Sequence, residues 1–146
     1  MSSNPSVPRL VIDTWERLRD DASQVRHAVF VVEQSVPLEI EMDDMDAVCV
    51  HAVAYDAAGE PVATGRLLPD GHIGRMAVLA RMRGTGLGGQ VLRALIEKGR
   101  EAGQSVLMLN AQTHARAFYE AHGFAACGEE FIDAGIPHVS MRMALH

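Results

Sequence analysis

The sequence predicts a single mixed α/β (α+β) domain spanning residues 1–146. Three observations predict it. The chain has 146 residues, 48% of them apolar, which is the size of one domain and enough to fill a core. Apolar residues alternate with period two in several short runs and recur at steps of three and four in others. Those runs come in the order strand, helix, three strands, helix, strand, helix, two strands, with no repeat or internal linker between them.

After a tail to about Pro5, Val7 to Thr14 reads as a strand. Trp15, Leu18, Ala22, Val25 and Val29 then mark one face of an amphipathic helix over Glu16 to Phe30. Glu33 to Asp46 is acidic, contains Pro37 and has no clean period, so a loop is expected. Val48 to Tyr55, the turn Asp56-Ala57-Ala58-Gly59-Glu60 and Pro61 to Leu68 predict an antiparallel hairpin. Pro69-Asp70-Gly71 turns the chain into a further strand, His72 to Val78. Gly84, Gly86, Gly88 and Gly89 open a helix carrying Leu87, Val91, Leu95 and Ile96, which ends near Gly99 to Gly103. Ser105 to Ala111 is a buried strand, and Thr113 is a candidate cap for a helix to His122, with Gly123 at its C′ position. Strands around Ala125–Phe131 and His138–Leu145 follow.

Composition excludes several classes. No apolar run approaches the ~18 residues of a membrane span, and no charged-then-apolar leader pattern is present, so no membrane partner is expected. Cys49 and Cys127 match no redox or metal spacing and the histidines match no zinc motif, so a cytoplasmic, disulfide-free and metal-free chain is expected. The net charge of -6 argues against a nucleic-acid partner. That charge is uneven: residues 1–60 hold 12 acidic and 4 basic side chains, residues 61–146 hold 7 and 9. Glu33, Glu39, Glu41, Asp43, Asp44 and Asp46 fall in one stretch without a base, and Arg75, Arg81 and Arg83 in another without an acid. Either these are solvated surface, or they are two sites of opposite sign.

The run Val78-Leu79-Ala80-Arg81-Met82-Arg83-Gly84-Thr85-Gly86-Leu87-Gly88-Gly89 carries the most chemistry. A strand feeding a glycine-rich helix start presents several backbone N–H groups to one concavity, and the positive helix end favours a phosphate there. A Walker A loop is excluded, because the one lysine, Lys98, lies deep in the helix. The string Gly-x-Gly-x-x-Gly also fits a dinucleotide fingerprint, but it follows an antiparallel meander rather than the first strand of a parallel unit. A glycine-rich helix start that binds nothing is the remaining alternative.

Arg83-Gly84-Thr85-Gly86-Leu87-Gly88 resembles the Arg/Gln-x-x-Gly-x-Gly/Ala loop of the GNAT superfamily of N-acetyltransferases. Ala115 to Phe124 resembles that superfamily's Ala-x-x-x-Tyr-x-x-x-Gly-Phe segment. Arg26 with Val29 to Gln34, Gly65-Arg66-Leu67 through Val78, and Gly135-Ile136-Pro137-His138 are similar to the narrower ElaA/YjcF-like group. Gln112 stands where many members of the wider superfamily have Asn, and the narrower group commonly carries Gln. The resemblance covers about Arg26 to Met143. It implies the GNAT acyl-CoA N-acyltransferase fold, a mixed, mostly antiparallel sheet whose fourth and fifth strands splay to admit acetyl-CoA. It implies pantetheine along Met76, Ala77 and Val78 and pyrophosphate on Arg83 to Gly89, with Gln112, Arg116 and Tyr119 as further cofactor contacts.

Acetyl transfer to an amine needs a neutral nucleophile, a polarised carbonyl and a stabilised thiolate. The resemblance makes Tyr119 the candidate acid; read alone, it is equally a core tyrosine beside Phe118 and Phe124. Glu33, His72 and His138 are candidate bases, with His51 or a water chain as alternatives. Cys127 has no basic neighbour to activate it for covalent transfer. The expected function is an acetyl-CoA-dependent N-acetyltransferase acting on a small primary amine by direct attack in a ternary complex. A non-catalytic acyl-CoA-binding protein, or a protein N-terminal or lysine acetyltransferase, is the alternative. The acidic 33–46 segment is expected to attract a cationic amine, and exposed sheet edges are compatible with a homodimer.

Overall fold

The computed structural model describes residues 9–38 and 43–145. Strand β1 (Arg9–Thr14) leads into helix α1 (Trp15–Arg26), which continues as a π-helical segment over His27–Glu33. Then come β2 (Val50–Tyr55), β3 (Pro61–Leu67), β4 (His72–Val78) and helix α2 (Leu87–Glu101). Strand β5 (Val106–Gln112), helix α3 (Arg116–Ala121), β6 (Ala125–Ala126), β7 (Phe131–Asp133) and β8 (Ile136–Ala144) complete it. The strands form one sheet in the order β1-β2-β3-β4-β5-β8-β6, with β7 also on β8. Among the described pairings only β4–β5 is parallel, so the mixed, mostly antiparallel sheet is as the sequence predicts.

Helices cover both faces, which is why β2 and β3 are buried almost throughout. On one face Leu18 and Ala22 of α1 pack on Val53 and Tyr55. On the other, Val91, Leu92, Leu95 and Ile96 of α2 pack on Ala52, Ala54, Leu107 and Leu109. The alternation of Ala52 and Ala54 against Val53 and Tyr55 thus divides β2 between two cores.

Several local expectations are corrected. Val7 of the first strand, and the tail before it, lie outside the described residues. The helix expected over Glu16–Phe30 instead widens at His27, with the Gln34 N–H donating to the Val29 carbonyl at 3.0 Å. The wider turn seats Val29 and Phe30 against Ala77 and Leu79, and a local hydrophobic period does not reveal that extra residue. Val48 belongs to a 3₁₀ turn rather than to β2. Thr113 makes no cap: Thr113–Ala115 is a 3₁₀ turn and α3 starts at Arg116. Gly123 does close α3, with φ +102, its N–H on the Glu120 carbonyl and that of Phe124 on the Tyr119 carbonyl. The strand expected over Ala125–Phe131 divides into β6 and β7, broken at Gly128 with φ +85.

The oppositely charged segments meet each other. Arg26, 2% exposed, donates both terminal nitrogens to Asp46 at 2.8 and 3.1 Å. Arg66 donates to both oxygens of Asp43 and to Asp46, each at 2.8 Å. Arg75 reaches Asp43 at 3.3 Å, Arg81 reaches Asp56 at 3.0 Å, and Arg83 is bidentate to Glu33 at 2.6 Å. Asp43, Asp46 and Glu33 are therefore engaged within the fold. Glu39 and Glu41 lie outside the described residues.

The Arg66 hydrogen bonds hold Asp43 down at about 2, below its ordinary 3.8. Burial alone raises Asp46, but hydrogen bonds and charge from Arg26 and Arg66 outweigh it and leave it lowered. Both groups have a depressed folded value, so their stabilisation is complete above about pH 4 and is lost as pH falls towards about pH 2. Asp43→Asn is expected to lower stability at neutral pH by roughly 1–2 kcal/mol. It is also expected to reduce the fall in melting temperature between pH 4 and pH 2, read by thermal melts across that interval. A second prediction concerns the β7–β8 hairpin, whose two-residue turn has φ +52 at Ala134 and +76 at Gly135, the type I′ pattern. Alanine is strained there and asparagine is favoured, so Ala134→Asn is expected to raise unfolding free energy by up to about 1 kcal/mol in a denaturant titration.

Candidate active site

Strands β4 and β5 pair at two positions, His72 with Met108 and Ile73 with Leu109. Beyond them β4 stays with β3 and β5 stays with β8, and the strands part. The departure is helped by a bulge: Thr64 faces Ala77 but Arg66 faces Gly74, so β4 carries one extra residue, and Arg75 sits there at φ +51. Gly65 opposite has no room for a side chain, since a Cβ would lie 2.5 Å from the Met76 sulfur and 2.9 Å from Leu95.

The gap is a cleft of about 1010 Å³. Its β4 wall is Met76, Ala77 and Val78; its floor towards α2 is Arg83, Gly84, Gly86, Leu87, Gly88 and Gly89. Tyr119 and Phe118 of α3 line it, as do Gln112 at the end of β5 and His138 on β8. Thr85 turns away, its hydroxyl donating to the Met82 carbonyl at 2.6 Å. Arg116 also lies outside the lining, paired with Glu120 at 3.1 Å.

Gly84 and Gly86 stand at φ +80 and +87, and a Cβ on either would meet nothing within 4 Å, so both face open space. Leu87, Gly88 and Gly89 head α2, where no carbonyl inside the helix can accept their N–H groups, and Gly86 offers no side-chain cap. These donors converge on the cleft with the positive helix end.

The titratable candidates separate. Tyr119 is 8% exposed, packs edge-on against Phe118 and Phe124, and burial pushes its hydroxyl up to about 12. That hydroxyl has no hydrogen-bond partner among the described residues. His138 is 9% exposed, and its Nδ1 lies 2.7 Å from the Ile136 carbonyl. A carbonyl only accepts, so Nδ1 carries the hydrogen and Nε2 of the neutral ring keeps its lone pair. Glu33 lines the cleft, but the hydrogen bond from Arg83 holds its carboxyl below the usual range. His72 also lines it, with Nδ1 2.9 Å from Asp70 and a half-exposed ring. His51 is elsewhere: it is buried, stacked 4.7 Å from Trp15, donates to the Asp46 carbonyl, and is lowered by burial. Cys127 is exposed outside the cleft, with Sγ on the Ser140 carbonyl.

Gln34 also lines the cleft. It forms a reciprocal amide pair with Gln112 at 2.9 and 3.3 Å, bridging the π-helical segment to β5, and His114 donates to Gln112 at 2.6 Å. The contact joins residues 78 apart, and only the resemblance of the Val29–Gln34 stretch marked the position.

Residues 18–145 match the family described as Acetyltransferase (GNAT) domain. The chain is a GNAT acetyltransferase. YjcF of Bacillus subtilis, described as an uncharacterized N-acetyltransferase, is 42% identical over 137 residues, covering 91% of this chain and 97% of its own. An acyl-CoA N-acyltransferase from Pseudomonas aeruginosa superposes with TM-score 0.83 at 34% identity, over 94% of this chain and all of that one. ElaA of Escherichia coli does so with TM-score 0.84 at 27% identity, over 94% and 99%. The chain therefore stands with the ElaA/YjcF-like acetyltransferases, and its activity is acetyl-CoA-dependent acetyl transfer. No helix among the described residues of this GNAT protein is long and apolar enough to cross a membrane.

One glycine separates fold from site. A Cβ on Gly88 would make ordinary contacts, 3.5 Å from Val78 and 3.6 Å from Phe118, and its backbone needs no left-handed φ. Gly88→Ala is expected to keep or raise the melting temperature, because alanine is the better helix former by up to about 1 kcal/mol. The same variant is expected to weaken binding of acetyl-CoA several-fold in a calorimetric titration, because the added methyl narrows the cleft beside the exposed N–H groups.

Proposed function

We propose that this protein transfers the acetyl group of acetyl-CoA to a primary amine of a small molecule, by direct attack with both reactants held in the cleft. The observation that carries the reading is the pairing of roles along one cleft: an unshared imidazole nitrogen on His138 and a protonated phenol on Tyr119 that has no partner among the described residues. The residues present fit the cofactor. The separated edges of β4 and β5 leave main-chain groups of Met76 to Val78 to be satisfied, and the Gly84–Gly89 donors suit a pyrophosphate. Arg83 adds a charge beside them.

Acetyl-CoA supplies a thioester whose C–S bond is exchanged for a C–N bond to the amine. His138 Nε2 takes a proton from the amine nitrogen, which arrives as an ammonium in water. As long as Arg83 pairs with it, Glu33 is the poorer base, because the guanidinium stabilises its ionised form. Main-chain N–H groups near Met76 to Val78 polarise the carbonyl as negative charge develops. Tyr119 stays protonated across the working pH range and donates its hydroxyl proton to the departing sulfur; the second proton that the nitrogen loses on becoming an amide restores the phenol, and the one on His138 passes to solvent. Full proton transfer from a phenol near 12 to an ordinary thiolate is uphill, but a thiolate beside the buried Tyr119 hydroxyl is desolvated as the phenol is, which brings the two closer in basicity.

Release of free CoA thiol is to be measured against a panel of primary amines at saturating acetyl-CoA. Amine-dependent turnover is expected; none across a broad panel overturns the reading in favour of a non-catalytic CoA-binding protein. Within that assay His138→Gln is expected to lower kcat about 100-fold and remove the acid limb of the pH–rate profile. Tyr119→Phe is expected to lower kcat at least tenfold while that limb remains. A pH profile unchanged by His138→Gln would return the base role to Glu33 or His72.

A further inference from the structure

The cleft is lined by two carboxylates, Glu33 and Asp133, and by three arginines, Arg66, Arg75 and Arg83. Each of those arginines has a carboxylate partner: Arg66 and Arg75 hold Asp43, and Arg83 holds Glu33. Asp133 is the one lining carboxylate with no cationic partner among the described residues. It ends β7, opposite Ile136, two positions along from the pair formed by Phe131 and His138. Strand alternation puts Phe131, Asp133, Ile136 and His138 on one face, and the stacked rings of Phe131 and His138, 5.8 Å apart, together with the lining by Asp133, Ile136 and His138, identify that face as the cleft side. The hairpin from Cys127 to His138 holds Glu129, Glu130 and Asp133 and neither lysine nor arginine, so its field is negative throughout.

We infer that Asp133 is a specificity-determining carboxylate that selects acceptors carrying a second cationic group beyond the amine that reacts. The inference rests on the reading of the cleft as an amine acetyltransferase site. A negative charge directly at the reacting nitrogen would favour its protonated form and oppose the proton transfer to His138. Asp133 avoids that conflict by position. It is a diagonal cross-strand neighbour of His138, so their Cβ atoms stand about 7 Å apart. An acceptor with two amines separated by a short alkyl chain spans that distance, one nitrogen at His138 and the other, still charged, at Asp133. The preferred class is thus a diamine or an amine with an equivalent distal cation.

Binding is read directly, so the test does not depend on turnover. The CoA-loaded protein is titrated calorimetrically at low salt with 1,4-diaminobutane and with n-butylamine, which share the reacting end and differ by one distal charge. The diamine is expected to bind about two- to fivefold more tightly, the size of a solvent-accessible ion pair. Asp133→Asn is expected to bring the two affinities together, Asp133→Glu to keep them apart, and Asp133→Lys to reverse their order. Equal affinities in the parent protein, or a ratio unmoved by Asp133→Lys, overturn the inference. Tight diamine binding without acetyl transfer to it or to any amine overturns the catalytic reading and leaves the binding inference standing.

Discussion

The site depends on one constraint: β4 and β5 are neighbours in the sheet but share two rungs. A complete parallel pairing would satisfy every main-chain group between them and leave no cleft. Here β5 is committed to β8 over its whole length, and β4 is committed to β3 with a bulge that redirects it. The main-chain donors and acceptors beyond Ile73 lose their partner strand in the interior of a sheet, where such groups normally pair. Helix α2 follows β4 after the turn and glycine loop of residues 79–86, and its unshared N–H groups line the same gap as that unpaired edge. The interrupted ladder thus supplies the wall of the cleft, and the loop and helix start that follow β4 supply its floor.

The bulge has its own support. Arg75 adopts a left-handed conformation that costs a non-glycine residue about 1–2 kcal/mol. Its guanidinium reaches Asp43, which Arg66 grips in a bidentate pair, while Arg66 shares Asp46 with Arg26. The chain of ions runs from the end of α1 through the acidic segment to β3 and β4. Asp43 and Asp46 of the acidic segment are thereby an internal strut for the cleft wall, met by arginines rather than presented to an incoming amine. Of the basic stretch, Arg75 and Arg83 meet the acidic stretch but Arg81 meets Asp56, and Arg26 and Arg66 come from outside it, so net charge by segment marked only part of the network.

What was legible in the sequence was what is local. The glycine-rich helix start depends on residues within one turn of each other, and Gly123 closes α3 by a pattern of adjacent positions. The strand order followed from runs of alternation that short turns separate. The π-helical segment was illegible because its extra residue is accommodated by packing of Val29 and Phe30 on a strand nearly 50 positions later. Arg75 gave no sign of a bulge, since its left-handed φ accompanies a register offset between β3 and β4 and no glycine or asparagine marks it. The break after β6 is different: it is local, since Gly128 takes a left-handed φ between two short apolar runs. For the site, Tyr119 and the glycines were visible through resemblance, whereas the engagement of Glu33 by Arg83 and the inward face of Asp133 required the register of the strands.

The ion pair between Arg83 and Glu33 changes what it means for the glycine-rich loop to receive an anion. Both side chains are about two-fifths exposed, and the guanidinium is also tied through Nε to the Val78 carbonyl. The loop thus carries its own counter-ion. A phosphate that takes the terminal nitrogens of Arg83 displaces a carboxylate already there, so the local event is an exchange of anions rather than neutralisation of a bare cation. Such an exchange gains less Coulomb energy, responds less to ionic strength, and releases a carboxylate on the cleft side at the moment the loop fills. Occupancy of the loop is in this way written into the charge of the cleft immediately beside it.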